Sequence, residues 1–285
     1  MTQRVLYDLP TWEAPELPDG PRPLLLDLFC CAGGAARGYD RAGFRVVGVD
    51  IAPQPNYPFE FHQGDALEFL ATYRNRAAAV HASPPCQSSC TLTAGTNKGR
   101  EYPQLIPATR AALADLDVPT VIENVQGAKV RRDVTLCGEM FGLGVIRHRY
   151  FELGGWTMPQ PVHVPHRGRV AGYRHGRKYD GPYVAVYGNG GGKGSVAQWQ
   201  SAMGIDWTSD RAELTEAIPP AYTEFLGRGL LSEVTRRAAC NKTRCQAPGC
   251  GSLLTQPSTG RPRRFCSGAC RVRHHRATRA CIGLS

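Results

Sequence analysis

Short apolar runs alternate with amphipathic stretches from Pro23 onward. PLLLDLF (23–29), FRVVGVDI (44–51), RAAAVHASP (76–84) and VPTVIENV (118–125) are bounded by turn residues and too short for helices, which predicts buried strands. Between them, GGAARGYDRAG (33–43), DALEFLATYRN (65–75) and PQLIPATRAALADL (103–116) carry apolar residues at helical spacing. This alternation predicts a parallel sheet covered on both faces by helices. RHRYFEL (147–153) adds a basic triplet just before a further apolar strand. The texture then changes: residues 155–196 hold ten glycines and one strand-like run, YVAVYG (183–188), which predicts a loop-rich insert. Helical periodicity returns in VAQWQSAMGI (196–205), RAELTEAI (211–218) and PPAYTEFLGRGLLSEV (219–234), where Pro219 and Pro220 suit a helix start. The Pro-rich residues 1–22 predict an arm without a fold of its own.

A chain of 285 residues accommodates one α/β domain and a small appendage. No apolar run approaches the ~20 residues that span a bilayer, and the N-terminus does not read as a signal peptide, so no membrane partner and a cytoplasmic location are expected. In that compartment eleven cysteines point to metal binding or catalysis rather than a disulfide framework. Charge sharpens the division of the chain. Residues 236–285 hold eleven Lys or Arg and no Asp or Glu, while the rest holds 23 basic against 24 acidic side chains. The whole excess of +10 therefore resides in the last fifty residues, and a polyanion is the expected partner.

Candidate chemistry collects at the ends of the predicted strands. Gly33 and Gly34 stand between the first strand and its helix, Asp27 lies in that strand, and Asp50 ends the second. In a doubly wound sheet, ligands lie outside the carboxyl ends of the strands, where an acid can take a ribose's hydroxyls. The turn has no P-loop lysine, which argues against a nucleoside triphosphate. Asp65 reads first as a helix N-cap, and also as a third strand-end acid. In HASPPCQSSC, Cys86 follows two prolines that stiffen the backbone and could hold a thiol toward a substrate. Glu123 and Asn124 end the fourth strand, and Arg147 and Arg149 flank His148, with both guanidinium groups expected on one side. A thiol, a carboxylate and two arginines at neighbouring strand ends form a chemical set.

These motifs resemble those of the DNA (cytosine-5)-methyltransferases, in a short form of phage or actinobacterial type. DLFCCAGG resembles that family's first motif, VGVD its second, GD its third, SPPCQ its fourth, ENV its sixth and RHR its eighth, in the same order. IDWTSDRAELTEAIPPAYTEFLGRGLL is more loosely similar to the closing motifs that bring the last helices back beside the first. The resemblance covers residues 23 to 232. It implies a Rossmann-like α/β fold that binds S-adenosylmethionine, with a catalytic domain over 23–154 and 197–235 and a target-recognition insert over 155–196; residues 236–285 lie beyond the resemblance and are expected, from their charge and cysteines, to form a separate basic module. It further implies Cys86 as nucleophile, Glu123 as the acid at the base's N3, and Arg147 and Arg149 at the base's carbonyl oxygen or a nearby phosphate. The cofactor would lie against Asp27, Phe29, Gly33, Gly34, Asp50, Ile51, Asp65 and Pro84. The implied partner is double-stranded DNA, read by a monomer, with the cytosine flipped from the stack. Two departures are evident: Cys31 replaces a usual glycine, and Val145 a usual glutamine. Cys90 and Cys137 match no motif and are expected in the core. The insert offers Arg167, Arg169, Arg174, Arg177 and Lys178 for phosphate contacts. Transfer RNA is the alternative substrate, and a catalytically silent zinc-dependent nucleic-acid-binding protein the alternative class.

In the tail, Cys245, Cys250, Cys266 and Cys270 form C-x4-C-x15-C-x3-C. Two close pairs of soft ligands predict a structural zinc site, which a segment so poor in apolar residues would need in order to fold. Cys240, Cys281, His274 and His275 stand nearby as substitute ligands. The run RVRHHRATR after the second pair resembles the basic helix of treble-clef fingers.

Overall fold

The computed structural model describes residues 22–85, 105–174, 177–187, 194–240, 242–257 and 259–281. The first unit begins with β1 (Leu24–Leu28), every residue of which is buried. Then come α1 (Gly34–Ala42), β2 (Arg45–Asp50), β3 (Glu60–Gln63), α2 (Ala66–Tyr73) and β4 (Ala79–Ala82). Next are α3 (Leu105–Ala114), β5 (Thr120–Asn124), β6 (Val134–Leu136) and β7 (Arg149–Gly154). Helix α1 ends as a glycine permits: Gly43 takes φ 112°, and its N–H returns to Asp40.

The strands form one sheet of seven in the order β3-β2-β1-β4-β5-β7-β6. The first five run parallel, as the sequence pattern predicts, but β7 is antiparallel to both β5 and β6. The wholly parallel expectation fails at this edge because β7 follows β6 through a short 3-10 turn, Gly138–Phe141, and a short connection with no crossover helix. The reversal matters for the site. It puts the start of β7 beside the end of β5, with Asn124 opposite Tyr150 and Glu123 opposite Phe151.

One apolar core lies on the sheet and joins Leu26, Leu28, Val47, Val49 and Val80 to Phe69, Leu70 and Leu113 of α2 and α3. The 155–196 segment contains a small hairpin, β8 (Gly172–Arg174) with β9 (Arg177–Tyr179). Within YVAVYG, residues 183–187 do not form the expected strand. Tyr183 makes an isolated bridge to Val170, and Val184 donates to the Gly144 carbonyl. The run is apolar because Val186 and Val184 pack with Val145, Trp199 and Met203. Helices α4 (Val196–Met203), α5 (Arg211–Glu216) and α6 (Pro220–Cys240) follow. A full capping box starts α4: the Ser195 hydroxyl accepts from the Gln198 N–H while the Gln198 side chain accepts from the Ser195 N–H.

The chain divides into two units, residues 1–231 and 232–285. The second contains the hairpin β10 (Lys242–Arg244) with β11 (Leu253–Thr255), and α7 (Gly268–Cys281). Among the described residues, no helix is long and apolar enough to cross a membrane.

Candidate active site and cysteine cluster

The loop after β1 is shaped by an unusual backbone. Phe29, Cys31 and Gly33 all take left-handed conformations, with φ of 58°, 44° and 81°. A non-glycine residue in that region is disfavoured by about 1–2 kcal/mol, so two in one short loop need support from their surroundings. Asp50 supplies it: one oxygen accepts from the Cys31 N–H at 3.0 Å, the other from the Ala52 N–H at 3.0 Å. Trp207 adds an indole N–H to the Ala32 carbonyl at 2.8 Å. Thus Cys31 keeps the conformation that suits a glycine there, held by the acid expected at the ribose. At Gly33 a Cβ would come within 2.8 Å of Pro58 and 2.9 Å of Tyr57, so the side-chain-free position lets the loop pack closely.

Asp27 is fully buried in β1. The Tyr57 hydroxyl lies 3.4 Å from one carboxylate oxygen, and the other has no hydrogen-bond partner among the described residues. Burial pushes the Asp27 carboxyl well above the usual range; the Tyr57 hydroxyl opposes this, and Asp50 and Glu123 reinforce it. Asp65 is the N-cap of α2, its Oδ1 accepting from Leu67 at 2.8 Å and Glu68 at 3.0 Å. Ile51 is 43% exposed just past β2. An apolar ledge, a strained loop and an orphaned buried carboxylate oxygen at one sheet edge suit a cationic, nucleoside-bearing cofactor.

At the end of β5, Glu123 is buried and its Oε1 lies 3.0 Å from Arg149 Nε, itself little exposed. The contact is an ion pair rather than a well-aligned hydrogen bond. Burial raises the Glu123 carboxyl, against the smaller lowering effects of Arg149, the Ser83 hydroxyl and Arg147. Ser83 opens a polar chain that sequence reasoning missed. Its hydroxyl is 2.9 Å from His81 Nε2, whose Nδ1 is 3.0 Å from the buried Tyr39 hydroxyl. Burial pushes His81 down to about 3, so the ring is neutral. A neutral ring lets the chain run toward Glu123 when that group is ionised and away from it when protonated. The only signal in the sequence was a histidine and a serine interrupting an apolar strand. Asn124 donates to the Pro84 carbonyl at 2.9 Å and so ties the end of β5 to the strand-end loop. Cys86 and Cys90 lie outside the described residues.

The two arginines part company. Arg149 faces Glu123, whereas buried Arg147 donates to the carbonyls of Val186 at 3.2 Å and Thr215 at 2.5 Å. Alternate residues share a face only within a strand, and β7 begins at Arg149, so Arg147 precedes the ladder. The Tyr222 hydroxyl donates to the Arg147 carbonyl at 2.6 Å and fixes that turn.

In the second unit the sulfurs of Cys245, Cys250, Cys266 and Cys270 lie within 4.8 Å of one another and could hold a metal ion. Their neighbours are few: Cys245, Ala247, Leu254 and Cys270 make up the buried cluster, with Cys250 and Phe265 against it.

No protein-family model and no curated protein matches the chain by sequence. Among solved structures, it is similar to a protein assigned as a DNA modification methyltransferase encoded within a prophage of E. coli. The TM-score is 0.51 at 14% identity, over 75% of this chain and 99% of that one. It is equally similar to the Dnmt2 methyltransferase of S. pombe, with TM-score 0.51, 14% identity, and the same 75% and 99% coverage. A seven-stranded sheet with an antiparallel β7 thus gives the chain the α/β fold of these two methyltransferase structures.

Proposed function

We propose that this protein is a cytosine-C5 methyltransferase that uses S-adenosylmethionine and acts on duplex DNA. The observation that carries the reading is the buried Glu123–Arg149 pair, joined through Asn124 to Pro84, two residues before Cys86. C5 of cytosine is a poor nucleophile. Addition of the Cys86 sulfur at C6, with a proton placed on N3, turns C5 into an enamine carbon able to accept a methyl group. Glu123, raised by burial, is the donor at N3. Arg149 holds that carboxyl in place, and its positive charge favours the ionised form of the Cys86 thiol during attack. Loss of the C5 proton to solvent then expels the thiolate, and return of the N3 proton to Glu123 restores the ring. S-adenosylmethionine, when bound, supplies the electrophilic methyl group; Asp27, Phe29, Gly33, Gly34, Asp50, Ile51, Asp65 and Pro84 are the residues that would hold it. The four-cysteine cluster of the second unit takes a structural zinc, and its basic surroundings supply sequence-independent affinity for DNA phosphates.

The substrate is tested by offering labelled S-adenosylmethionine with duplex DNA of mixed sequence and, separately, with transfer RNA. Label in DNA as 5-methylcytosine is the expected result. Label confined to transfer RNA overturns the choice of substrate, and label in neither overturns the activity.

A further inference from the structure

We propose a second zinc site, in the first unit, formed by Cys137, His148, His163 and His166. Three separate stretches of chain supply these residues. Cys137 follows β6 and begins the 3-10 turn, and His148 immediately precedes β7. Because Leu136 pairs with Arg149 across the β6–β7 ladder, Cys137 and His148 are brought side by side. His163 and His166 come from the stretch after β7, where residues 156–166 form neither helix nor strand.

The four potential ligand atoms all lie within 4.8 Å of one another. Cys137 Sγ is 3.4 Å from His166 Nε2, and His148 Nε2 is 3.1 Å from His163 Nε2. Zinc bonds of 2.0–2.1 Å to nitrogen and 2.3 Å to sulfur place tetrahedral ligands about 3.4 Å apart for two nitrogens and about 3.6 Å for sulfur and nitrogen. The observed separations therefore match a coordination shell. The same holds in the tail, where Cys250, Cys266 and Cys270 have sulfurs 3.3 to 3.6 Å apart. Ring centroids of the three histidines are 5.1 to 5.4 Å from one another, so the imidazoles form one compact group. Cys137 is hydrogen-bonded to His163 as well as to His166, and His163 meets His148, so both pairs come together at the one sulfur. The Cys137 sulfur also receives the backbone N–H groups of Glu139 and Arg147, the outer bonds that support a metal-bound thiolate.

Four protein ligands leave no open position, so the site is structural rather than catalytic. Its place gives it a task. His148 lies between Arg147, which is anchored to the Val186 and Thr215 carbonyls, and Arg149, which faces Glu123. Metal at His148 fixes the backbone from which Arg149 reaches the site, and pins the start of the 155–196 segment to the sheet edge. Nearby bonds act in the same sense: Arg167 pairs with Glu139 at 2.8 Å, and Gln160 exchanges hydrogen bonds with the Thr135 backbone at 2.6 and 3.0 Å.

Metal content of the full-length protein, purified without chelator, tests the site without reference to activity. The wild type should carry two zinc ions per chain. His163→Ala should carry one, and Cys250→Ser with Cys266→Ser should also carry one. In that double variant, cobalt replacing the remaining zinc should show thiolate-to-metal absorption with the intensity of a single sulfur, abolished by adding Cys137→Ser. His163 is exposed, so its replacement should leave the fold intact. One zinc in the wild type that persists in His163→Ala and vanishes in the double variant overturns the proposal. Cobalt absorption that survives Cys137→Ser also overturns it.

Discussion

Asp27 carries a cost in stability. An enclosed carboxylate oxygen without a partner costs about 1–3 kcal/mol, and Asp27 has one. Its raised carboxyl fixes the sign of the pH dependence: protonation is easier in the folded than in the unfolded chain. The contribution is thus fully present below the unfolded value of about 3.9 and is lost as pH rises through the folded one. Asp27→Asn, which mimics the protonated form, should match the wild type near pH 3.5 and exceed it by about 1–3 kcal/mol at pH 8. Thermal melts across that range check this, and a difference independent of pH contradicts it. The strand-end acids were legible because Asp27, Asp50 and Glu123 interrupt or end apolar runs. The individual bonds were not. Asp50 closes onto Cys31 through folding of a loop, and His81 meets Tyr39 only because β4 lies next to β1 and its helix.

Elements approach as closely as their smallest residues allow, and α1 meets the start of α6 through glycine. A Cβ on Gly38 would lie 2.1 Å from Thr223 Oγ1, 2.2 Å from the Pro220 carbonyl oxygen and 2.6 Å from the Glu224 nitrogen. Gly34 faces the Ile218 carbonyl at 2.3 Å in the same sense. The Thr223 hydroxyl donates to the Ala35 carbonyl at 2.8 Å, a bond that forms only at this separation. Gly38→Ala should therefore force the helices apart and destabilise the protein by about 1–3 kcal/mol, despite alanine's better helix propensity. Urea unfolding measures it, and an unchanged or raised midpoint would refute the packing argument. The central strands were readable from their apolar runs, since β1, β4 and β5 are buried along their whole length. Two edge strands were not. All four residues of β3, EFHQ, are only partly buried, and β6 is three residues long, so neither carries a periodic signal. YVAVYG failed in the opposite way, being apolar for contact with α4 rather than for pairing.

Across the whole molecule, charge is the coarsest property and the one most open to titration by salt. The segment 236–285 carries eleven basic and no acidic residues. If it binds phosphates, removing it should weaken DNA binding and flatten the dependence of log K on log salt by about 0.9 for each phosphate it had neutralised; an unchanged slope in a salt series would show that the tail does not engage DNA. Its two cysteine pairs were legible from spacing alone as a group able to hold a metal. The Cys137 and three-histidine cluster was not, because its members are scattered over thirty positions and meet only through the β6–β7 ladder. The central claim is the covalent chemistry of Cys86 with Glu123 as its partner. Duplex oligonucleotides containing 5-fluorocytosine, incubated with S-adenosylmethionine and resolved by denaturing mass analysis, address it directly. Fluorine cannot leave C5 as a proton, so the thiolate is not expelled and the adduct persists. The wild type should be trapped as a complex of protein, oligonucleotide and one methyl group, Cys86→Ser should give none, and Glu123→Gln should be trapped at least about 100-fold more slowly. A wild-type protein that methylates DNA yet forms no adduct, or an adduct that persists in Cys86→Ser, would contradict the account.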